Sequence, residues 1–137
     1  MIGSVFDSST IPVLEQVINF AQARHHVLAG NIANLHTPGY RTRDLSVPEF
    51  QRRLREAIES RNERHEPLSP GLMASRSGDP MRQVRDSLKD ILYHDDSNVG
   101  MEKQVTEISK NQALHNLAIT IMTSQYRLLQ SAISERV

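Results

Sequence analysis

The stretch LAGNIANLHTPGYRTRDL, Leu28 to Leu45, opens as helix and cannot close as helix. Pro38 fixes its own φ and pushes Thr37 out of the helical region. Gly39 follows and accepts positive φ without steric cost. Thr37-Pro38-Gly39-Tyr40 therefore carries the signature of a type II turn, with Pro second and Gly third. The preceding helix must stop near Leu35 or His36, leaving its last carbonyls without intrahelical partners. Asn31 and Asn34 lie one turn apart on one face, and each amide holds two donors. They are placed to bond those carbonyls or a neighbouring backbone. Tyr40 adds an apolar ring with a polar tip at the exit.

Upstream of the turn, Ser8, Ser9 and Thr10 are N-cap candidates, and Pro12 falls in the first helical turn, where its missing N–H costs least. Leu14, Ile18, Ala21, His25, Leu28, Ile32 and Leu35 then alternate by four and three, the spacing of a helix that packs along another helix. Downstream, from near Ser97 or Asn98, the same alternation runs through Met101, Val105, Ile108, Gln112, His115, Ile119, Met122, Tyr126, Leu129 and Ile133. Leu114, Ala118, Ile121, Leu128 and Ala132 form a second row beside it. The fold class expected is all-α: long N- and C-terminal helices form a paired, coiled-coil-like domain around a charged, partly irregular middle. The expected division is residues 10–36, 37–96 and 97–135. The assembly seam would comprise Leu14, Ile18, Leu28, Ile32, Leu35, Val105, Ile108, Ile119, Met122, Tyr126, Leu129 and Ile133.

Charge is distributed unevenly over the 137 residues: 22 of the 32 charged side chains fall between Arg41 and Asp96. Between Thr10 and Leu35 only Glu15 and Arg24 are charged, and between Asn111 and Ser134 only Arg127 is. A solvated helix back normally carries Lys and Glu. Asn, Gln, Ser and Thr suit a surface that another protein covers, because a charge there would have to be desolvated. The simpler reading is a self-contained bundle with a neutral surface.

The middle holds a short amphipathic helix in VPEFQRRLREAIESRNERHEP, with Phe50, Leu54 and Ile58 four apart. EPLSPGLMASRSGDP has Pro, Gly and Ser without periodicity and reads as linker. MRQVRDSLKDILYHDD has Val84, Leu88 and Ile91 at helical spacing and reads as a further short helix or turn.

Composition narrows the chemistry. Net charge is zero, which gives no bulk field toward nucleic acid. No cysteine is present, so disulfides and thiolate-ligated metals are excluded. No stretch approaches the ~18 apolar residues of a membrane span, and the first residues lack the basic and apolar regions of a cleaved leader. His25 and His26 are adjacent and cannot both face one metal from one side of a helix. Tyr93-His94-Asp95-Asp96 reads as a polar loop ahead of a helix. Arg52, Arg53 and Arg55 interleave with Glu49, Glu56 and Glu59 as a mixed-charge solvated face. No nucleophile–base set and no phosphate loop stands out. No catalytic residue, cofactor or metal site, nucleic acid or small-molecule substrate is expected.

The string NIANLHTPGY (Asn31 to Tyr40) with its continuation RTRDL closely resembles the signature of the axial proteins of the bacterial flagellum, the rod, hook and hook-associated family. SNVGMEKQVTEISKNQALHNLAITIMTSQYRLLQSAI, Ser97 to Ile133, is similar to the family's last helix. The resemblance spans residues 12–45 and 97–133. It implies a structural subunit of the proximal rod, whose terminal helices stack helically around an export channel and order on assembly. It further implies a basal-body location in the periplasm and export by the flagellar type III apparatus without a cleaved signal peptide. The partners implied are other copies, other rod proteins, the rod–membrane-ring adaptor and the membrane-ring protein. An alternative is a cytosolic helical hairpin acting as regulator or export chaperone.

Overall fold

The computed structural model describes residues 9–65, 78–95 and 100–134. Most of the expected linker lies outside these residues, as do Ser8, Asp96, Ser97 and Asn98. The elements in order are α1 (Ile11–Ala33), β1 (Thr42–Leu45), α2 (Val47–His65), α3 (Pro80–Asp86), a 3-10 turn (Ser87–Lys89), β2 (Leu92–Asp95) and α4 (Met101–Ser134).

Local chemistry sets the helix ends. The Ser9 hydroxyl accepts from the Ile11 N–H at 3.2 Å, and Pro12 sits in the first turn of α1. The Ser46 hydroxyl accepts from the Glu49 N–H at 3.3 Å, and the Ser46 carbonyl accepts from the Phe50 N–H. Ser46-Val47-Pro48-Glu49 is thus a helix-start sequence with Pro inside the first turn. Asp79 caps α3 by accepting from the Met81 N–H at 3.0 Å. The N–H groups of Lys103 and Gln104 both bond the Gly100 carbonyl and open α4.

Helix α1 is shared between two partners. One side enters the hydrophobic core: buried Phe20 packs with Leu45, Phe50, Ala57, Met81, Val84 and Ile91, flanked by Val13, Val17, Ala23 and Val27. The Phe20 and Phe50 rings stack with centroids 4.1 Å apart and planes 10° apart. Such a pair contributes about 0.5–1.5 kcal/mol beyond the area it buries. Arg61 closes the far end of this unit by donating to the Ser9 carbonyl at 3.0 Å.

The other side of α1 carries α4. Asn31 meets Gln104, Arg24 meets Glu107, and Asn111 meets Ala21, so the two helices run antiparallel. At ~1.5 Å per residue, α1 spans about 35 Å and α4 about 51 Å. With Ala21 opposite Asn111, Ile11 is level with about residue 121, and roughly the last three and a half turns of α4 run past the start of α1.

The all-α expectation is corrected by a two-stranded antiparallel sheet, β1 with β2, in the register Thr42–Asp95, Arg43–His94, Asp44–Tyr93 and Leu45–Leu92. Tyr93-His94-Asp95, read from sequence as loop, is strand. TRDL and LYHD are short and polar, and they pair across about 50 residues, so neither carries the alternation that marks a half-buried strand. The helical segment expected around Met81 to Asp95 is shorter too: α3 and the 3-10 turn end at Lys89.

Candidate functional site

The turn that follows α1 is built from the residues that end it. The N–H of Asn34 and its side-chain amide both donate to the Gly30 carbonyl, at 3.1 and 2.9 Å. The Thr37 N–H bonds the Asn34 carbonyl and the Tyr40 N–H bonds the Thr37 carbonyl, at 2.9 and 3.2 Å. Gly39 holds φ at +76° with open space around it. Thr37 and Pro38 are exposed. The chain therefore leaves α1 through a closed turn and enters β1 within two residues of Tyr40.

Asn31 is completely buried, and its amide is fully bonded. Nδ2 donates to the Arg43 carbonyl at 2.6 Å and to Gln104 Oε1 at 3.2 Å. Oδ1 accepts from the Arg43 N–H at 3.0 Å and from the Tyr40 hydroxyl at 3.1 Å. Two donors and two acceptors exhaust the capacity of an Asn side chain. The pair of bonds to Arg43 is what a neighbouring strand would make, so Asn31 stands in for a third strand at the edge of β1. One side chain thereby fixes α1, the turn, β1 and α4 to one another.

Two helical turns earlier, Arg24 makes a second junction. Its Nε and Nη2 donate to the two carboxylate oxygens of Asp44 at 2.8 and 2.7 Å, and Nη2 reaches Glu107 at 2.8 Å. The hydrogen bonds to Asp44 hold the guanidinium charged ever more firmly, against the opposing cost of burial. Lys110 and then Arg24 bond the Glu107 carboxyl and hold it below the ordinary range. A third polar contact, from Asn111 Nδ2 to the Ala21 carbonyl at 2.7 Å, completes the line. Asn111 Oδ1 and Gln16 Oε1 are buried without a hydrogen-bond partner among the described residues.

The face of α4 that loses most solvent runs through Gln104, Asn111 and Ala118, seven apart, with Ile108, His115, Met122, Gln125 and Leu129 half-buried between and beyond them. On α1 the corresponding buried line is Ala21, Arg24, Leu28 and Asn31. Of the residues assigned to the seam from sequence, Leu28 is buried; Leu14, Ile18, Ile32, Leu35, Ile108, Met122 and Leu129 are half-buried. Val105, Ile119, Tyr126 and Ile133 are exposed. They form a strip along one flank of the helix–helix contact. Leu114, Ile121 and Leu128 form a second exposed strip along the other flank. At the overhanging end Leu128 is 62% and Ile133 71% exposed. Large apolar side chains exposed in rows along a helix suit a surface that another protein covers.

Arg24, Gln104 and Glu107 were not singled out from sequence as functional. The one available signal was that Arg24 is a rare charge in a neutral helix. His25 and His26 are both exposed, beside a cleft of about 320 Å³ shared with Asn111, Gln112 and His115. Among the described residues no group of three His, Asp or Glu side chains is placed to hold a metal ion. None of the described helices is long and apolar enough to cross a membrane.

No protein-family model matches the chain, and no solved structure does. Eight curated relatives match, all carrying the name flagellar basal body rod protein FlgB. The Salmonella typhimurium protein is 25% identical over 126 residues, 87% of this chain and 88% of its own length. The Bacillus subtilis protein is 27% identical over 134 residues, 93% of this chain and 95% of its own. The Aquifex aeolicus protein is 25% identical over 130 residues, 92% and 94% respectively. These relatives span distant bacteria, and each aligns almost end to end.

Proposed function

We propose that this chain, a homologue of the flagellar basal body rod protein FlgB, is a structural subunit of the proximal rod and acts by assembly, not by catalysis. The observation that carries this reading is the pair of exposed apolar strips on α4, one on each side of its contact with α1. One intramolecular partner leaves both strips open. Two different strips on one helix suit contacts to two different neighbours, the requirement of a non-closing, helical array. A dimer closing about a two-fold axis would use the same patch on both copies.

The turn motif of Asn31, Asn34, Thr37, Pro38, Gly39 and Tyr40 sets the path from the axial helix to the smaller folded unit. The strips of α4, with the half-buried seam residues around them, meet adjoining subunits. The neighbours in this reading are further copies, other rod proteins, the rod–membrane-ring adaptor and the membrane-ring protein. The assembled subunits form a drive shaft around the export channel, reached through the flagellar type III apparatus. Neutral polar side chains between the strips support close packing, since each buried charge would add a desolvation cost of several kcal/mol, roughly.

Deletion of the gene followed by electron microscopy of basal bodies tests the reading. Loss of the rod, restored by the intact gene and not by one carrying Ile119→Asp and Leu128→Asp, is expected. Rods of normal frequency and length in the deletion strain would overturn it. A sharp, concentration-independent closed dimer in sedimentation velocity, with normal rods in the deletion strain, would instead favour the export-chaperone alternative.

A further inference from the structure

The two edges of the small sheet are treated in opposite ways. At β1 the outward main-chain groups of Arg43 are occupied by Asn31. Because those groups face away from β2, alternation makes Thr42 and Asp44 the residues that bond across the pair, with Asp95 and Tyr93 opposite them. The Ser46 N–H to Ile91 carbonyl bond, 3.0 Å, continues the same alternation. Leu92 and His94 therefore present their N–H and C=O groups to the outer edge of β2. Beside it lies an open groove of about 440 Å³ whose walls include Glu49, Arg53, Asp90, Leu92 and Tyr93. Leu92 and Tyr93 are 40% and 46% exposed. A row of outward main-chain donors and acceptors next to exposed apolar side chains is a template for one more strand.

We propose that the outer edge of β2 pairs with an extended segment of a neighbouring rod subunit that carries basic side chains at alternate positions. The charge around the edge selects that partner. Asp90 lies two residues before the strand and Asp95 ends it. The Asp90 side chain is 72% exposed and lies 3.8 Å from Arg53. Arg53 already has a closer partner in Glu49 at 2.9 Å. A second β2 strand would bring these acidic groups together with their own copies, which disfavours self-pairing. An incoming strand with lysine or arginine at alternate positions bonds Leu92 and His94 through its backbone and places its cations near Asp90 and Asp95.

The inference rests on the rod reading, and its test separates the two. His94→Pro removes an outward N–H that the β1 pairing does not use, at an edge position where proline is tolerated. The probe is a fluorescein-labelled hexapeptide of alternating lysine and valine, measured by anisotropy against the full-length chain. Controls are the same peptide N-methylated at alternate residues and one with glutamate in place of lysine. Binding that falls at least tenfold with His94→Pro, with N-methylation and with glutamate supports the proposal. Absence of binding to the parent chain, or equal binding to the His94→Pro chain, overturns it. Should His94→Pro alter the far-UV CD spectrum, the N-methylated peptide decides alone, and equal binding of it overturns the proposal. If gene deletion abolishes rods while the peptide arms fail, the rod reading stands and the edge-pairing inference falls.

Discussion

At the scale of single residues, Asn31 and Gly39 carry the turn for different reasons. Asn31 supplies a shape of hydrogen bonding that no other short side chain matches. Asn31→Leu strands the Arg43 N–H and carbonyl, and unpaired buried groups cost about 1–3 kcal/mol each. A fall of at least that size in unfolding free energy is expected in urea titration of the full chain. Asn31→Asp removes both donors and costs a similar amount. Gly39 is different, because nothing lies within reach of an added Cβ. Its requirement is the +76° φ alone. Gly39→Val therefore destabilises by about 1–2 kcal/mol through backbone strain, while Gly39→Asn, which tolerates that region, costs far less. Equal loss of stability or of rod assembly in the two variants would show that side-chain volume matters there instead. Both roles were partly legible in sequence. Pro-Gly announced the turn, but that Asn31 reaches across to a strand depends on a partner twelve residues away that no local pattern marks.

At the scale of elements, the long terminal helices are legible because 23 and 34 helical residues leave strong periodic traces. Their mutual contact is less so. A search for apolar spacing favours Ile32 and Val105, yet the buried positions one residue earlier are Asn31 and Gln104. Polar side chains that satisfy one another vanish from an apolar pattern. The two strips that the pattern does capture on α4 are flanks rather than the intramolecular contact. The polar contact makes α1–α4 docking selective for register, as buried polar groups do in coiled coils. Removing Arg24 takes from Asp44 its ion-pair partner and leaves Glu107 with Lys110 alone, so Arg24→Ala is expected to cost about 3 kcal/mol. Double-mutant cycles with Glu107→Gln measure the shared part. Acid weakens the same junction. The folded-state value of the Glu107 carboxyl lies below its ordinary 4.5, so its contribution is complete above 4.5 and is lost as pH falls through that lower value. The urea midpoint should drop across this acid window, and less in Glu107→Gln. On the core side, Phe20→Ala removes a stacked ring from a buried cluster and should cost about 3–5 kcal/mol. If α1–α4 docking and the small core were one cooperative unit, both variants would shift a single transition.

At the scale of the whole molecule, the chain is a folded unit on one side of α1 and a long helix on the other, with that helix apolar beyond its intramolecular needs. The small sheet was illegible from sequence because its two short, polar strands lie about 50 residues apart and neither shows a strand's alternation. The excess apolar surface was legible, since charge is withheld from both terminal segments. Ile119→Asp and Leu128→Asp fall on exposed positions, so the urea midpoint of the isolated chain should change by less than about 0.5 kcal/mol equivalent. Rod assembly should fail in the same variants. That separation of stability from assembly is the hallmark of a surface reserved for neighbours. Hydrogen–deuterium exchange over residues 120–133 tests it most directly, comparing isolated chain with purified basal bodies. We predict fast exchange in the isolated chain and strong protection in basal bodies; equal protection in both would contradict the account.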